Sequence, residues 1–149
     1  MEPTFVTWAL VVFGAITLLP LFLAQSSMLT RLDGRKTRDL IIGEGEEWRD
    51  RTHSRIALGA AWADWLFFLP MFVAGSVGML RGHAWGYALF AAAGACSLYI
   101  NIILWFTEKE YVYPTRGPLR YYTYYWGFFV YWGALALAYG VLRIAGIEL

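Results

Sequence analysis

A single acidic residue lies inside a long apolar segment of this sequence. Residues 61–82, AWADWLFFLPMFVAGSVGMLRG, contain Asp64 and no other Asp or Glu. An ionisable side chain in the apolar interior of a membrane costs roughly 2.5–3.5 kcal/mol on insertion scales, so such residues usually face a partner, a cavity or a ligand. Asp64 is therefore the first candidate for a functional residue. The alternative is that a neighbouring polar group satisfies it and it has no further role.

Two later segments carry polar and aromatic groups at a similar depth. Nine of the twelve residues 121–132 are aromatic, and a run of that length covers every face of a helix, so some rings must point inward. A rise of about 1.5 Å per residue from the nearest charged ends places Asp64, Asn101 and Tyr131 in one layer of the bilayer. The sequence thus predicts a polar, ring-lined pocket at that level.

An acid surrounded by rings suits a positively charged or proton-exchanging ligand. A carboxyl group can donate or accept a proton, and ring faces attract cations by up to about 2 kcal/mol each when dry. We assign Asp64 as the candidate acid/base and Asn101 as its hydrogen-bonding partner. The candidate ligand-binding residues are rings from the second, third and fourth apolar segments and one acid just after the third: Trp65, Trp105, Glu108, Tyr125, Trp126 and Tyr131.

Each of these assignments has a plainer alternative. Asn101 could hold two helices together through an interhelical hydrogen bond. Glu108 could be a charge at the membrane interface. The tyrosines and tryptophans could form an ordinary aromatic belt at the level of the lipid headgroups.

The elements that position these residues are membrane helices. The chain has 149 residues, of which 59% are hydrophobic and 15% charged, and its mean hydropathy is +0.48. Four apolar segments, at about 5–25, 56–80, 84–106 and 122–144, each reach the roughly 20 residues that a spanning helix needs. A bare backbone finds no hydrogen-bond partner in lipid, so we predict a single all-α domain, a bundle of four transmembrane helices.

The distribution of charge predicts the orientation of this bundle. Ten of the twelve Lys and Arg residues lie in segments 26–55 and 107–121, whereas the opposite side has Arg81 and Arg143. The positive-inside rule makes these two segments the cytosolic loops and places both termini outside the cytosol. The first segment lacks a basic n-region, so we expect it to be retained as a span. The membrane would be a bacterial inner membrane or the endoplasmic reticulum.

Several other functions find no support in the sequence. His53 and His83 fall at opposite ends of the second span, and Cys96 is the sole cysteine, so we expect neither a metal site nor a haem or other cofactor. No nucleotide-binding or hydrolase motif occurs. The basic residues are not interleaved with a stacking surface outside the membrane, which argues against a nucleic-acid partner.

The chain resembles the EXPERA module of the emopamil-binding protein family, which includes sterol isomerases. The likeness covers most of the chain: Pro20 in the first span, Asp64 several residues before Pro70 in the second, LYINIILWFTEKE ending the third and GPLRYYTYYWGFFVYW opening the fourth. The resemblance implies a four-helix fold and a sterol- or isoprenoid-like ligand. The first span lacks the His and Glu expected of isomerases in this family, so the resemblance implies the ligand more strongly than the reaction.

These observations lead to one main hypothesis and two rivals. The main hypothesis is an intramembrane pocket for a sterol- or isoprenoid-like lipid, in which Asp64 could isomerise a double bond. The first rival is a small proton-coupled transporter that works as a homodimer, since four helices alone scarcely enclose a path. The second is an accessory subunit of a larger membrane complex.

Overall fold

The first apolar segment forms one long helix. The computed structural model describes residues 1–32, 34–42, 47–111 and 127–149, with only the backbone of 107–111, and its helix α1 spans Phe5–Arg31. Near its end the hydroxyls of Ser26, Ser27 and Thr30 donate to carbonyls about one turn earlier. Such bonds satisfy a hydroxyl inside a helix. The helix therefore continues beyond residue 25, where the predicted span ends.

The connection between the first two spans is partly helical. Helix α2 covers Arg35–Ile41, and the Thr37 hydroxyl donates to the Ser27 carbonyl at 3.3 Å, which ties α2 to α1. Asp50 caps the next helix by accepting a hydrogen bond from the backbone N–H of His53 at 2.8 Å. The sequence predicted a cytosolic loop over residues 26–55. The described residues instead contain α2 and the first turn of the second membrane helix.

The second membrane helix changes its geometry at Asp64. It consists of α3 (Arg51–Ala63), a π-helical segment (Asp64–Phe68) and α4 (Leu69–Leu80). In the π-helical segment the backbone N–H of Leu69 donates to the Asp64 carbonyl, five residues earlier. Pro70 comes two residues after the end of this segment, and a proline ring clashes with the carbonyl four residues before it in a regular α-helix. The wider π turn accommodates this proline, and π turns of this kind often occur at functional sites.

Two further helices complete the bundle. Helix α5 covers Ala84–Tyr111 and helix α6 covers Gly127–Ile144. A tight turn at Gly82, whose φ of +75° favours glycine, joins α4 to α5. The part of the predicted fourth span before residue 127 lies outside the described residues. The described chain contains four helices long and apolar enough to cross a membrane, which confirms the predicted all-α bundle.

Trp132 is the centre of the core. Its side chain is fully buried, and its indole N–H donates to the Leu10 carbonyl on α1 at 3.1 Å. Phe68, Phe72 and Phe90 surround it with ring centroids 5.4 to 6.1 Å away. One residue of α6 thus contacts all three of the other membrane helices.

Small residues bring α5 and α6 close together. A methyl group added to Gly94 would lie 2.7 Å from the Leu137 nitrogen and 2.8 Å from the Gly133 oxygen. Backbones approach this closely only where both helices carry small side chains. Gly94 and Gly133 therefore lie in the packing surface between α5 and α6.

Candidate functional site

The site is formed where α1 meets the π-helical segment of the second membrane helix. The Gln25 Nε2 donates to Asp64 Oδ2 at 2.5 Å. Gln25 is buried with 6% of its surface exposed, and Asp64 is partly exposed. The carboxylate is thus held by a residue of the first span and faces partly out of the bundle.

The remaining oxygens of this pair accept no hydrogen bond from the residues that the structure describes. In the described part of the chain, the hydrogen bond of Asp64 uses Oδ2 and leaves Oδ1 free. The buried Oε1 of Gln25 also has no hydrogen-bond partner there. A buried acceptor without a donor costs about 1–3 kcal/mol. The pair is therefore chemically complementary to a ligand that carries a donor, such as a hydroxyl or an ammonium group.

Aromatic rings lie next to the pair. Trp65 follows Asp64 directly and contacts Phe22 on α1, with ring centroids 6.2 Å apart. Phe22 in turn contacts Phe68 at 5.8 Å. Trp65 is 37% exposed, whereas Phe22 and Phe68 are buried. The predicted ligand-binding Trp65 therefore lies at the outer edge of the site, where it could contact a molecule in the membrane.

The predicted pairing of Asp64 with Asn101 is corrected by the structure. The Asn101 amide donates to the Ser97 carbonyl at 2.7 Å, one turn earlier on the same helix. Ser97 itself donates to the Phe129 carbonyl at 3.0 Å and so links α5 to α6. Both side chains are buried. Asn101 thus belongs to the contact between α5 and α6.

The other predicted ligand-binding residues lie in different environments or outside the described part of the chain. Tyr131 is 48% exposed on the outside of α6, because its neighbour Trp132 takes the inward position. Trp105 lies on α5 one turn beyond Asn101 and is partly buried. Glu108 is on the same helix, but its side chain is outside the described part, as are Tyr125 and Trp126. Of the predicted ligand-binding residues, Trp65 therefore lies beside Asp64, as its position in the sequence requires. Tyr131 faces away from the bundle interior.

Gln25 is the site residue that the sequence reasoning missed. It is the last residue of the predicted first span. The signal that could have identified it is helical spacing, since Leu18, Phe22 and Gln25 recur at intervals of four and three residues and all are buried. A polar residue on the buried stripe of a membrane helix is expected to meet another polar group.

The described part of the chain contains no group of three His, Cys, Asp or Glu side chains arranged to hold a metal ion. The fold and site define the class of this protein: an integral membrane protein of four apolar helices with a carboxylate–amide pair between the first two. Comparison with models of protein families, with curated proteins and with solved structures finds no significant match.

Proposed function

We propose that this protein binds a sterol- or isoprenoid-like lipid through the Asp64–Gln25 pair. The observation that carries the proposal is that Asp64 Oδ1 and Gln25 Oε1, next to apolar rings, receive no hydrogen bond from the described residues. A ligand with one polar donor and a large apolar body would satisfy the oxygens and lie against the rings. Sterols and isoprenoid alcohols or amines have this construction, and the resemblance to the EXPERA module supports the same ligand class.

The position of the pair supports entry from the membrane. Asp64 is partly exposed, and its neighbours Trp65 and Leu66 are 37% and 59% exposed on the same segment. Apolar side chains on the outside of a membrane bundle contact lipid tails. A lipid could therefore reach the carboxylate laterally, with its polar end toward α1.

Isomerisation of a double bond is the reaction that the resemblance implies for such a ligand. Asp64 could protonate an alkene, and the Trp65 ring could stabilise the resulting cation. The partner of Asp64 is the amide of Gln25, which does not act as a general acid or base near neutral pH. One carboxyl group would then have to donate and accept the proton, so binding has stronger support than catalysis.

The test uses sterol probes that differ only at the polar end. Reconstituted full-length protein is incubated with a photoreactive sterol carrying an amine, a hydroxyl or a methyl ether, and labelling is quantified. A donor paired with the carboxylate contributes about 1.5–3 kcal/mol, so we expect the amine to bind about 10- to 100-fold more tightly than the methyl ether. Asp64→Asn replaces the free oxygen with an N–H donor and should abolish that preference.

The matched control is Asp39→Asn, which removes an equal charge from α2, where Asp39 pairs with Arg35 at 3.9 Å. It should keep the amine preference of the unmodified protein. Retention of the preference by Asp64→Asn would disprove the proposal. Incubation with a Δ8 sterol and chromatography of the products would detect isomerisation separately.

A further inference from the structure

A buried arginine lies at the other end of the bundle, where α1 begins and α6 ends. Arg143, in the last turn of α6, is 2% exposed. Its Nη2 donates to the backbone carbonyl of Glu2 at 2.6 Å, and its guanidinium carbon lies 5.3 Å from the centre of the Tyr87 ring. None of the ion pairs among the described residues includes Arg143. The guanidinium is therefore buried with no carboxylate of the described residues within ion-pair distance.

The cluster formed by Arg143 and Tyr87 has hydrogen-bond donors that lack acceptors among the described residues. Within the described chain, Arg143 Nε and Nη1 have no hydrogen-bond partner, and neither does the hydroxyl of the fully buried Tyr87. The carbonyls at the end of α6 and the face of the Tyr87 ring attract the cation. Neither interaction satisfies the guanidinium N–H groups, and buried charges normally have hydrogen-bonded partners. The cluster is thus complementary to an anion.

The residues around the arginine are fixed by other bonds. The Tyr139 hydroxyl is within 2.6 Å of the Thr7 hydroxyl and 2.9 Å of the Thr4 hydroxyl, so it already has its partners. The same N-terminal segment supplies the Glu2 carbonyl that accepts from Arg143. That carbonyl is a neutral acceptor for a charged donor. A charged oxygen in its place would form a stronger, charge-assisted bond.

The level of Arg143 in the membrane indicates which anion is available. Arg143 lies one residue before the end of α6 at Ile144, and so at one end of a helix that is apolar enough to cross a membrane. Trp8 and Trp85, near the starts of α1 and α5 at this end, are 53% and 50% exposed, as expected for rings at the headgroup level. Phosphate is the common anion at that level, and the planar fork of arginine matches its geometry.

We propose that Arg143 and Tyr87 form a binding site for a phosphate group, which takes the place of the Glu2 carbonyl when the N-terminal segment moves aside. The phosphate belongs either to a lipid headgroup or to free phosphate. This site is separate from the Asp64–Gln25 pair and does not depend on the function proposed for that pair. It lies at the opposite end of the bundle.

The experiment uses the full-length protein in a maltoside detergent, which contains no phosphate. Native mass spectrometry measures retention of phosphatidic acid, of diacylglycerol with the same acyl chains, and of inorganic phosphate. We expect phosphatidic acid to be retained in preference to diacylglycerol, and Arg143→Gln to reduce this retention by about tenfold or more. Competition by inorganic phosphate would identify free phosphate as a ligand, and its failure to compete would identify the lipid.

Two further variants test the Tyr87 hydroxyl separately and control for the loss of an arginine. Tyr87→Phe retains the ring against Arg143 and removes only the hydroxyl, so it should weaken retention even if Arg143→Gln does not fold. Arg81→Gln changes an exposed arginine at the same end of the bundle and should retain phosphatidic acid like the unmodified protein. Equal retention of diacylglycerol and phosphatidic acid would overturn the proposal. Retention by Tyr87→Phe equal to that of Arg81→Gln would overturn it as well.

Discussion

Gln25 and Asp64 connect the first two membrane helices through a hydrogen bond of 2.5 Å between Nε2 and Oδ2. The bond meets the second helix at the first residue of its π-helical segment. Asp64 therefore links two helices and begins the change in helix geometry. Its second carboxylate oxygen accepts no hydrogen bond from the described residues. Changes in either side chain should affect helix packing and the proposed ligand site together.

Gln25→Leu removes the donor from the Asp64 carboxylate. We expect a loss of about 1–3 kcal/mol in the free energy of unfolding, because a partly buried acceptor is left without its partner. Gln25→Leu combined with Asp64→Leu should recover most of this loss, since an apolar pair leaves no polar group unsatisfied. Unfolding in mixed micelles would measure both variants.

Ser26→Ala is the control for this comparison, because its hydroxyl donates to Phe22 within its own helix. Its effect should stay within about 0.5 kcal/mol. Equal losses for the single and double variants would contradict the assigned bond.

Gly94→Ala tests the close approach of α5 and α6. The added methyl group would meet backbone atoms of α6 at 2.7 and 2.8 Å, and backbone cannot move aside as a flexible side chain can. We expect a destabilisation of about 1–3 kcal/mol from overpacking. The matched control is Gly59→Ala on α3, where nothing lies within 4 Å of the added group. That variant should be neutral or stabilised by up to about 1 kcal/mol, because alanine favours helix more than glycine does.

Trp132→Ala tests the centre of the core. The loss of a fully buried indole against three phenylalanine rings should cost about 3–5 kcal/mol. Trp132→Phe keeps a ring but loses the hydrogen bond to Leu10 and should fall between that variant and the unmodified protein. Trp8→Ala, which removes a ring that is 53% exposed, should have the smallest effect in the same thermal-unfolding series. A different ranking would show that Trp132 is not the central packing residue.

Tyr139→Phe tests the hydroxyl cluster between α6 and the start of α1. The variant removes the hydroxyl that lies 2.6 Å from Thr7, and interhelical hydrogen bonds in membranes contribute about 0.6 kcal/mol on average, with a maximum near 1.7. We expect a loss of that size in the free energy of unfolding. Tyr99→Phe changes a tyrosine that is 70% exposed and should leave stability unchanged. A loss in Tyr99→Phe as large as that in Tyr139→Phe would contradict the role given to the cluster.

Part of the candidate site could be predicted from the sequence. Asp64 was identified because a charge in an apolar run is rare and costly, and that cost depends only on the local sequence. The partner of Asp64 could not be derived in this way, because the predicted first span ends at Gln25, whereas helix α1 continues to Arg31 and so places Gln25 deeper in the bundle. Depth alone does not tell which side chain points toward Asp64.

The sequence by itself determined the four apolar helices, because insertion into a membrane depends on hydrophobicity summed along each segment. Only the tertiary structure decided how each helix is rotated about its own axis. In segments that are apolar on every face, successive side chains differ in direction by about 100°, and hydropathy does not select one face. The packing of Trp132 against three helices turns Tyr131 outward, and the contact between α1 and the π-helical segment joins Gln25 to Asp64. The same packing buries Arg143 beneath the N-terminal segment.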